Sequence, residues 1–363
     1  MKVLIVSDAQ SVHTQRWVTS LSQKGIEVVL YTIVPVGVEF YTQRGIKCHH
    51  FDLFNYKREK RGFLYPIRRH LQAVRDLKRV IKEEHPHILH SHFVTSYSLI
   101  AALSGFHPLI ESVWGSDVYI YPKKSLLHRL LVKFTLSKGD KILSTSNVMA
   151  RETARYTNKK IWITPFGVDT NLFCRKTPRP EGKFVIVSVK SLAQNYGNEY
   201  IIRAFHQVTL KNPQLDCSLE LVGKGPHKEM LQSLAQELGI ADKVHFRGFL
   251  PNIELPKFFQ GCNIALYMSN SESFGVSAIE AMACECPVVA SDADGFTEVI
   301  EDAKTGFIVP RKDYMAAAAA IQRFIDNPYL VESMGKAGRD SVCSKYSWEE
   351  NVEQMISIYR ETV

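Results

Sequence analysis

Two carboxylates eight residues apart, Glu272 and Glu280, frame the segment Glu272-Ser-Phe-Gly-Val-Ser-Ala-Ile-Glu280-Ala-Met-Ala, which follows an apolar run at 264–268. The pattern places 276–283 in a helix. Gly275 at its start lets a ligand approach the backbone closely, and the unpaired N–H groups of the first turn aim at a phosphate. Glu280, inside the helix, suits hydrogen bonds from a hydroxyl pair such as a ribose diol. Glu272, on the preceding loop, can serve a sugar in the same way or sense developing charge. Taken alone, the pair also reads as an exposed loop carboxylate and a capping turn before a core helix. Other chemistry-bearing groups are Lys190 in Ser188-Val-Lys-Ser-Leu-Ala-Gln-Asn-Tyr-Gly197, the strand-end pair His90-Ser-His92, Asp117 in Glu111-Ser-Val-Trp-Gly-Ser-Asp117, and His13, Gln15 and Arg16 in the first turn region. Arg16 is the strongest phosphate ligand of that last group. His-x-His without carboxylate or Cys partners at ligand spacing does not make a zinc site.

The elements that must position these groups alternate. Apolar runs at 2–7, 26–32, 87–91, 109–113, 141–145 and 161–164 are separated by helical periodicity around Trp17–Leu21 and Leu71–Ile81. The alternation restarts at 184–189 and continues through runs at 219–222, 244–246, 263–268, 287–290 and 307–309. Helices close the chain at 314–325, 329–343 and 348–359. Strands alternating with helices predict an α/β chain of two doubly wound, Rossmann-like domains, with ligands beyond the carboxyl ends of the strands. A cleft between domains is the default site. The predicted boundaries are 1–170 for the first domain, 171–182 for a linker carrying Pro178, Pro180 and Gly182, 183–345 for the second domain, and 346–363 for a final helix that crosses back to the first.

The composition agrees with two domains: 363 residues, 45% hydrophobic, 23% charged. The seven Cys lack disulfide or zinc spacing apart from the close pair Cys284 and Cys286, which suits reduced thiols in the cytoplasm. No apolar run reaches the ~18 residues of a membrane span, and the start MKVLIVSDAQ lacks a signal peptide's layout. Residues 1–180 hold 28 Lys and Arg against 13 Asp and Glu, whereas 181–363 hold 17 against 24. A basic half suits nucleic acid, anionic lipid or a phosphorylated small molecule, and charge alone does not choose.

The ordered words Leu221-Val-Gly-Lys-Gly-Pro226, Val244-His-Phe-Arg-Gly-Phe249, ESFGVSAIEAMA, Cys286-Pro-Val-Val-Ala-Ser291 and Gly295-Phe-Thr-Glu298 resemble the nucleotide-sugar domain of retaining family 4 glycosyltransferases, of the GT-B fold. The resemblance implies that Glu280 binds the donor ribose and Glu272 lies near the transferred sugar. Phe274, Gly275 and Val276 would supply the backbone that meets sugar and diphosphate, Arg247, Gly248 and Phe249 the strand end beside the base, and Gly223 and Gly225 the flank of the cleft. Lys190 would steady the departing diphosphate. In the first half, the His90-Ser-His92, Glu111–Asp117, Ser144-Thr-Ser-Asn147 and Pro165-Phe-Gly-Val-Asp169 segments resemble family landmarks. There His92 is the histidine expected at the open strand end, and Asp117 an acceptor-site hydrogen-bond partner or base.

Two departures stand out. The family usually supplies a second cation, a Lys immediately before the glycine at 197, where this chain has Tyr196. The family's His before Gly115 is replaced by Trp114, which either stacks on a sugar or simply packs. The implied activity is retaining transfer of a sugar from a nucleoside-diphosphate sugar to a hydroxyl of a glycan or polyprenyl-linked glycan, as in bacterial cell-surface polysaccharide synthesis. The nucleotide sugar is then a co-substrate, and no metal or other cofactor is required. The rivals are a nucleotide-sugar epimerase or hydrolase on the same fold and a degenerate, non-catalytic binding subunit. Nucleic-acid binding ranks last, since no recognisable module accompanies the basic charge. Basic residues 57, 58, 60, 61, 68 and 69 beside Phe63, Leu64, Tyr65 and Ile67 suit peripheral contact with an anionic membrane, a patch that Lys123, Lys124, Arg129 and Lys133 extend.

Overall fold

The computed structural model describes residues 1–54, 65–179 and 181–363, and each alternating half of the sequence forms one wholly parallel sheet. The first sheet comprises β1 (Lys2–Val6), β2 (Glu27–Thr32), β3 (Lys47–His50), β4 (Ile88–His92), β5 (Leu109–Val113), β6 (Lys141–Ser144) and β7 (Ile161–Ile163), in the spatial order β3-β2-β1-β4-β5-β6-β7. The second comprises β8 (Phe184–Val189), β9 (Cys217–Val222), β10 (Val244–Gly248), β11 (Ile264–Tyr267), β12 (Val288–Ser291) and β13 (Gly306–Val309), in the order β10-β9-β8-β11-β12-β13. Central strands such as β4, β5, β9 and β11 are buried along their whole length, as crossover helices on both faces require.

Both orders reverse once, between β1 and β4 and between β8 and β11. Such reversals open a crevice at the carboxyl ends of the two flanking strands. His92, beside Ser7, stands at the first reversal, and Lys190 and Glu272 stand at the second.

The chain divides into two compact units, Met1–Pro165 with Asn351–Val363, and Phe166–Glu350. The first unit therefore takes residues 351–363, the greater part of the helix Trp348–Arg360. Within that unit, Asn351 donates to the Pro165 carbonyl and the Tyr359 ring is fully buried.

The segment expected to be a linker is tied down instead. Arg339 donates to the carbonyls of Thr170, Phe173 and Ala283, Arg175 to that of Gln260, and Arg179 to those of Cys262, Asn263, Glu285 and Val331. Phe173 is buried. Arginine forks rather than an apolar stripe hold the described part of this stretch to the second unit.

Candidate functional site

In the second unit, β8 delivers Lys190 at its carboxyl end, where the Lys190 N–H still bonds the Val222 carbonyl and extends the ladder to β9. Glycine at 223 is required for this: φ is +144°, and a Cβ would collide with the Lys190 carbonyl. The lysine Nζ lies 2.5 Å from Glu272 Oε2 on the loop beyond β11. Aromatic rings surround the ammonium, with centroids at 5.4 Å for Tyr196, 5.9 Å for Tyr267 and 5.7 Å for Phe296. Tyr196 thus presents its ring where a second cation was expected, and cation–π attraction joins the carboxylate in holding Lys190.

The turn carrying Tyr196 is clasped to the loop carrying Glu272. Asn195 Nδ2 donates to the Ser271 carbonyl, and the Asn270 N–H donates to the Asn195 carbonyl. Gly197, at φ +61°, allows the turn to pass against the Met268 carbonyl, where any Cβ would clash. Beyond Glu272, Gly275 at φ +101° caps the helix Val276–Ala283, with no side chain occupying the cap. Phe274 is buried against Tyr346, so its ring is withdrawn from the surface. Val276 opens the helix and is partly exposed.

Glu280, one turn from the end of that helix, is largely buried and accepts a hydrogen bond from Asn252 Nδ2 at 3.1 Å. Asn252 escaped notice in the sequence, because an Asn after Pro251 reads as an ordinary turn residue. Arg247 on β10 pairs with Glu220 at 2.6 Å, which raises the arginine's pKa. Gly248 adopts φ +72° and its carbonyl accepts from the Gly223 N–H, while Phe249 is exposed. Carboxylates, a cation, a helix N-terminus and an exposed aromatic ring thus line one strand edge. That combination suits hydroxyls, a diphosphate and a base.

In the first unit, His92 ends β4 beside Ser7, with Nδ1 3.2 Å from Ser7 Oγ. Its ring is covered by Trp114, at 4.5 Å between centroids, and Trp114 also meets His13 edge-on at 5.9 Å. His92 is buried, so the histidine expected at the open strand end stands behind Trp114, which remains partly exposed. His90 lies deeper, bonded through Nδ1 to Tyr359 Oη at 2.7 Å and through Nε2 to Ser112 Oγ at 2.8 Å. Burial pushes His90 down to about 3 and His92 well below the usual imidazole range. Burial, with the charge of Arg16, pushes His13 down to about 4. The imidazoles are therefore neutral near pH 7. Arg16 itself is partly buried on the helix Val12–Gln23.

Asp117 requires a correction. Its carboxylate is buried and accepts from the backbone N–H groups of Val94, Trp114 and Gly115 at 2.7–3.2 Å. Burial raises its pKa, and those N–H groups pull it back. Both oxygens face the backbone, so Asp117 shapes the turn that presents Trp114 rather than serving as an acceptor-site base.

No group of three or more metal-ligating side chains gathers among the described residues. No helix among them is long and apolar enough to cross a membrane. Residues 57, 58, 60, 61, 63 and 64 of the basic segment lie outside the described residues. Of its remainder, Arg68 and Ile67 are exposed, and Arg69 donates to the Asp52 carbonyl.

Residues 169–341 match the family model described as glycosyl transferases group 1, and residues 2–146 match that of glycosyl transferase 4-like proteins. A GDP-mannose-dependent alpha-(1-6)-phosphatidylinositol monomannoside mannosyltransferase of Mycolicibacterium smegmatis is 32% identical over 203 residues, covering 51% of this chain and 52% of that protein. The chain spans about half the length of such curated relatives. The sucrose-phosphate synthase of Thermosynechococcus elongatus superposes with a TM-score of 0.82 at 21% identity, over 99% of this chain and 98% of that one. Anabaena HepE, solved in complex with UDP, superposes with a TM-score of 0.81 at 16% identity over 100% of both chains. These likenesses show the GT-B fold.

Proposed function

The chain belongs to the group 1, family 4-like glycosyltransferases, and from that premise we propose that it is a retaining enzyme that moves a sugar from a nucleoside diphosphate to a hydroxyl of a glycan or lipid-linked glycan, in bacterial cell-surface polysaccharide synthesis. The observation that carries this reading is the Lys190–Glu272 pair at the second sheet's strand reversal, one loop from the open N-terminus of the helix that holds Glu280.

In the proposed reaction the bond between the anomeric carbon and the diphosphate oxygen breaks, and the acceptor oxygen bonds that carbon on the same face. The acceptor proton passes to the departing diphosphate, giving the nucleoside diphosphate and a glycoside. Negative charge grows on the diphosphate as it leaves, and in this reading Lys190 and the N–H groups at Gly275 and Val276 stabilise it. The reaction then needs neither a covalent enzyme nucleophile nor a metal. Glu280 takes the ribose hydroxyls, and Glu272 exchanges its bond to Lys190 for the donor sugar. Binding of UDP by HepE and a lipid acceptor in the name of the mycobacterial relative support the donor and acceptor classes.

The test is incubation of the purified protein with a panel of nucleotide sugars, with and without a membrane glycolipid extract, reading released nucleoside diphosphate. Release that depends on the extract supports the reading. Release without acceptor points to a hydrolase, and thermal protection by donor without any release points to a binding subunit.

A further inference from the structure

The helix Leu126–Lys138 of the first unit turns large apolar side chains to solvent. Leu126 is 71% exposed, Leu127 64%, Leu130 53% and Phe134 38%. These four fall on one stripe at helical spacing, whereas Val132, Thr135 and Leu136 on the opposite side are buried. Arg129 and Lys133 border the stripe on one side, and Lys138 borders it on the other, its Nζ 5.5 Å from the Phe134 ring. No Asp or Glu occurs from residue 118 to 139.

We propose that this face is a docking surface for an anionic lipid bilayer. An apolar centre rimmed by long basic side chains inserts its leucines at the level of the acyl chains while the cations meet lipid phosphates. Beside Leu126 and Arg129 lies a depression of about 500 Å³ also lined by Lys123 and Arg155, a concave basic surface of headgroup size. Glu152 contacts Lys123 at 3.4 Å and Arg155 at 3.0 Å, so one carboxylate meets two of the three cations that line the depression.

Charge complementarity selects the occupant. A second copy of the chain docking by this face would bring two cationic surfaces together, whereas an anionic bilayer matches the excess of Lys and Arg in residues 1–180.

Position adds a second argument. The helix leads into β6 and runs against the parallel strands, so Leu126 and Leu127 in its first turn lie at the carboxyl edge of the first sheet, as Ser7, His92 and Trp114 do. The helix Tyr65–Glu84 leads into β4 in the same sense, bringing exposed Ile67, Arg68 and Leu71 to that edge. The surface thus stands at the end of the sheet that receives ligands. It draws its purpose from the proposed lipid-linked acceptor, but its existence does not depend on that reading.

The experiment is flotation of the full chain with vesicles of phosphatidylcholine alone and of phosphatidylcholine mixed with phosphatidylglycerol. The expected result is flotation with the anionic vesicles only, weakening as salt rises. Replacing both Leu127→Glu and Leu130→Glu abolishes it, and replacing both Arg129→Glu and Lys133→Glu weakens it at least about twentyfold. All four positions are exposed, so both double variants keep the wild-type thermal midpoint and its rise with nucleotide sugar. Absence of flotation, equal flotation with neutral vesicles, or wild-type flotation by the double variants overturns the proposal. So does a dimer that the leucine variant dissolves, which would make a second copy the occupant. Flotation as expected, without sugar transfer to any lipid-linked acceptor, leaves the docking surface standing and removes the acceptor reading.

Discussion

Lys190 and Glu272 hold one another at 2.5 Å across the point where the second sheet reverses its strand order. Each side chain is only 12% exposed, so either charge left alone would be poorly solvated. A donor that brings a diphosphate to Lys190 and a sugar hydroxyl to Glu272 replaces one charge-assisted contact with two. Lys190→Met is expected to lower turnover about a hundred- to a thousandfold and to cost about 1.5–3 kcal/mol of stability through the orphaned carboxylate. The double replacement Lys190→Met with Glu272→Gln recovers most of that stability and none of the turnover. Thermal melting and nucleotide release measured on the same samples separate the two effects; a double variant as unstable as the single one would show that the pair does not couple.

Glu280 leads to a prediction about binding rather than chemistry. Its carboxylate is largely buried and is oriented by Asn252. Removing a hydrogen bond from a neutral hydroxyl to a charged acceptor costs about 1.5–3 kcal/mol. Glu280→Gln should therefore weaken nucleotide-sugar affinity by about ten- to a hundredfold, and Asn252→Ala by less. Calorimetric titration of donor checks both, and unchanged affinity in Glu280→Gln would remove the residue from the donor site.

Much of this arrangement was legible in the sequence because its elements announce themselves twice, by apolar runs and by turn residues. The carboxyl ends of β8 and β11 could be located from their apolar runs; the spacing of two carboxylates marked Glu272 there, and the resemblance to the glycosyltransferase family marked Lys190. β3, with the sequence Lys-Cys-His-His, was not found, because an edge strand with partly exposed side chains carries no apolar pattern. The helix Leu126–Lys138 was overlooked as an element for a related reason: its apolar residues lie on both faces, and the stripe turned to solvent blurs the period. Partners contributed from distant positions, such as Tyr359 for His90 and Asn252 for Glu280, leave no local spacing to read. Asp117 shows the opposite limit. The family resemblance of its loop suggested chemistry, but its partners are backbone amides that sequence does not display.

Asp117 should accordingly behave as a positioning residue. Asp117→Asn places an amide among backbone N–H donors and is expected to destabilise the first unit by about 1–3 kcal/mol. Turnover falls with the displaced Trp114 turn, while the pH dependence of kcat keeps its shape. If Asp117→Asn retained the wild-type melting temperature and lost a limb of that pH profile, the base role would be restored.

Stability should depend on pH through groups of the first unit that act in opposite senses. His13 and His90 titrate in the fold near about 4 and about 3, and His92 is lowered as well, whereas unfolded imidazoles take protons near ~6.5. Below that value the unfolded chain binds more protons, so stability falls as pH falls, by up to ~1.4 kcal/mol per pH unit for each group. Glu111 acts oppositely. Burial, with Asp140 nearby, raises its carboxyl well above the usual range against the pull of Lys159, and neither oxygen has a hydrogen-bond partner. The folded state keeps this proton where the unfolded state has lost it, so stability falls as pH rises from the ordinary carboxyl range through the folded pKa. Glu111→Met should then abolish that decline and raise the melting temperature above the ordinary carboxyl range, while His90→Gln flattens the acid limb by one proton's slope. A melting series across pH decides the matter: a Glu111→Met protein that melts lower than wild type at every pH above the ordinary carboxyl range would mean that the carboxylate is stabilised by its surroundings rather than forced to keep its proton.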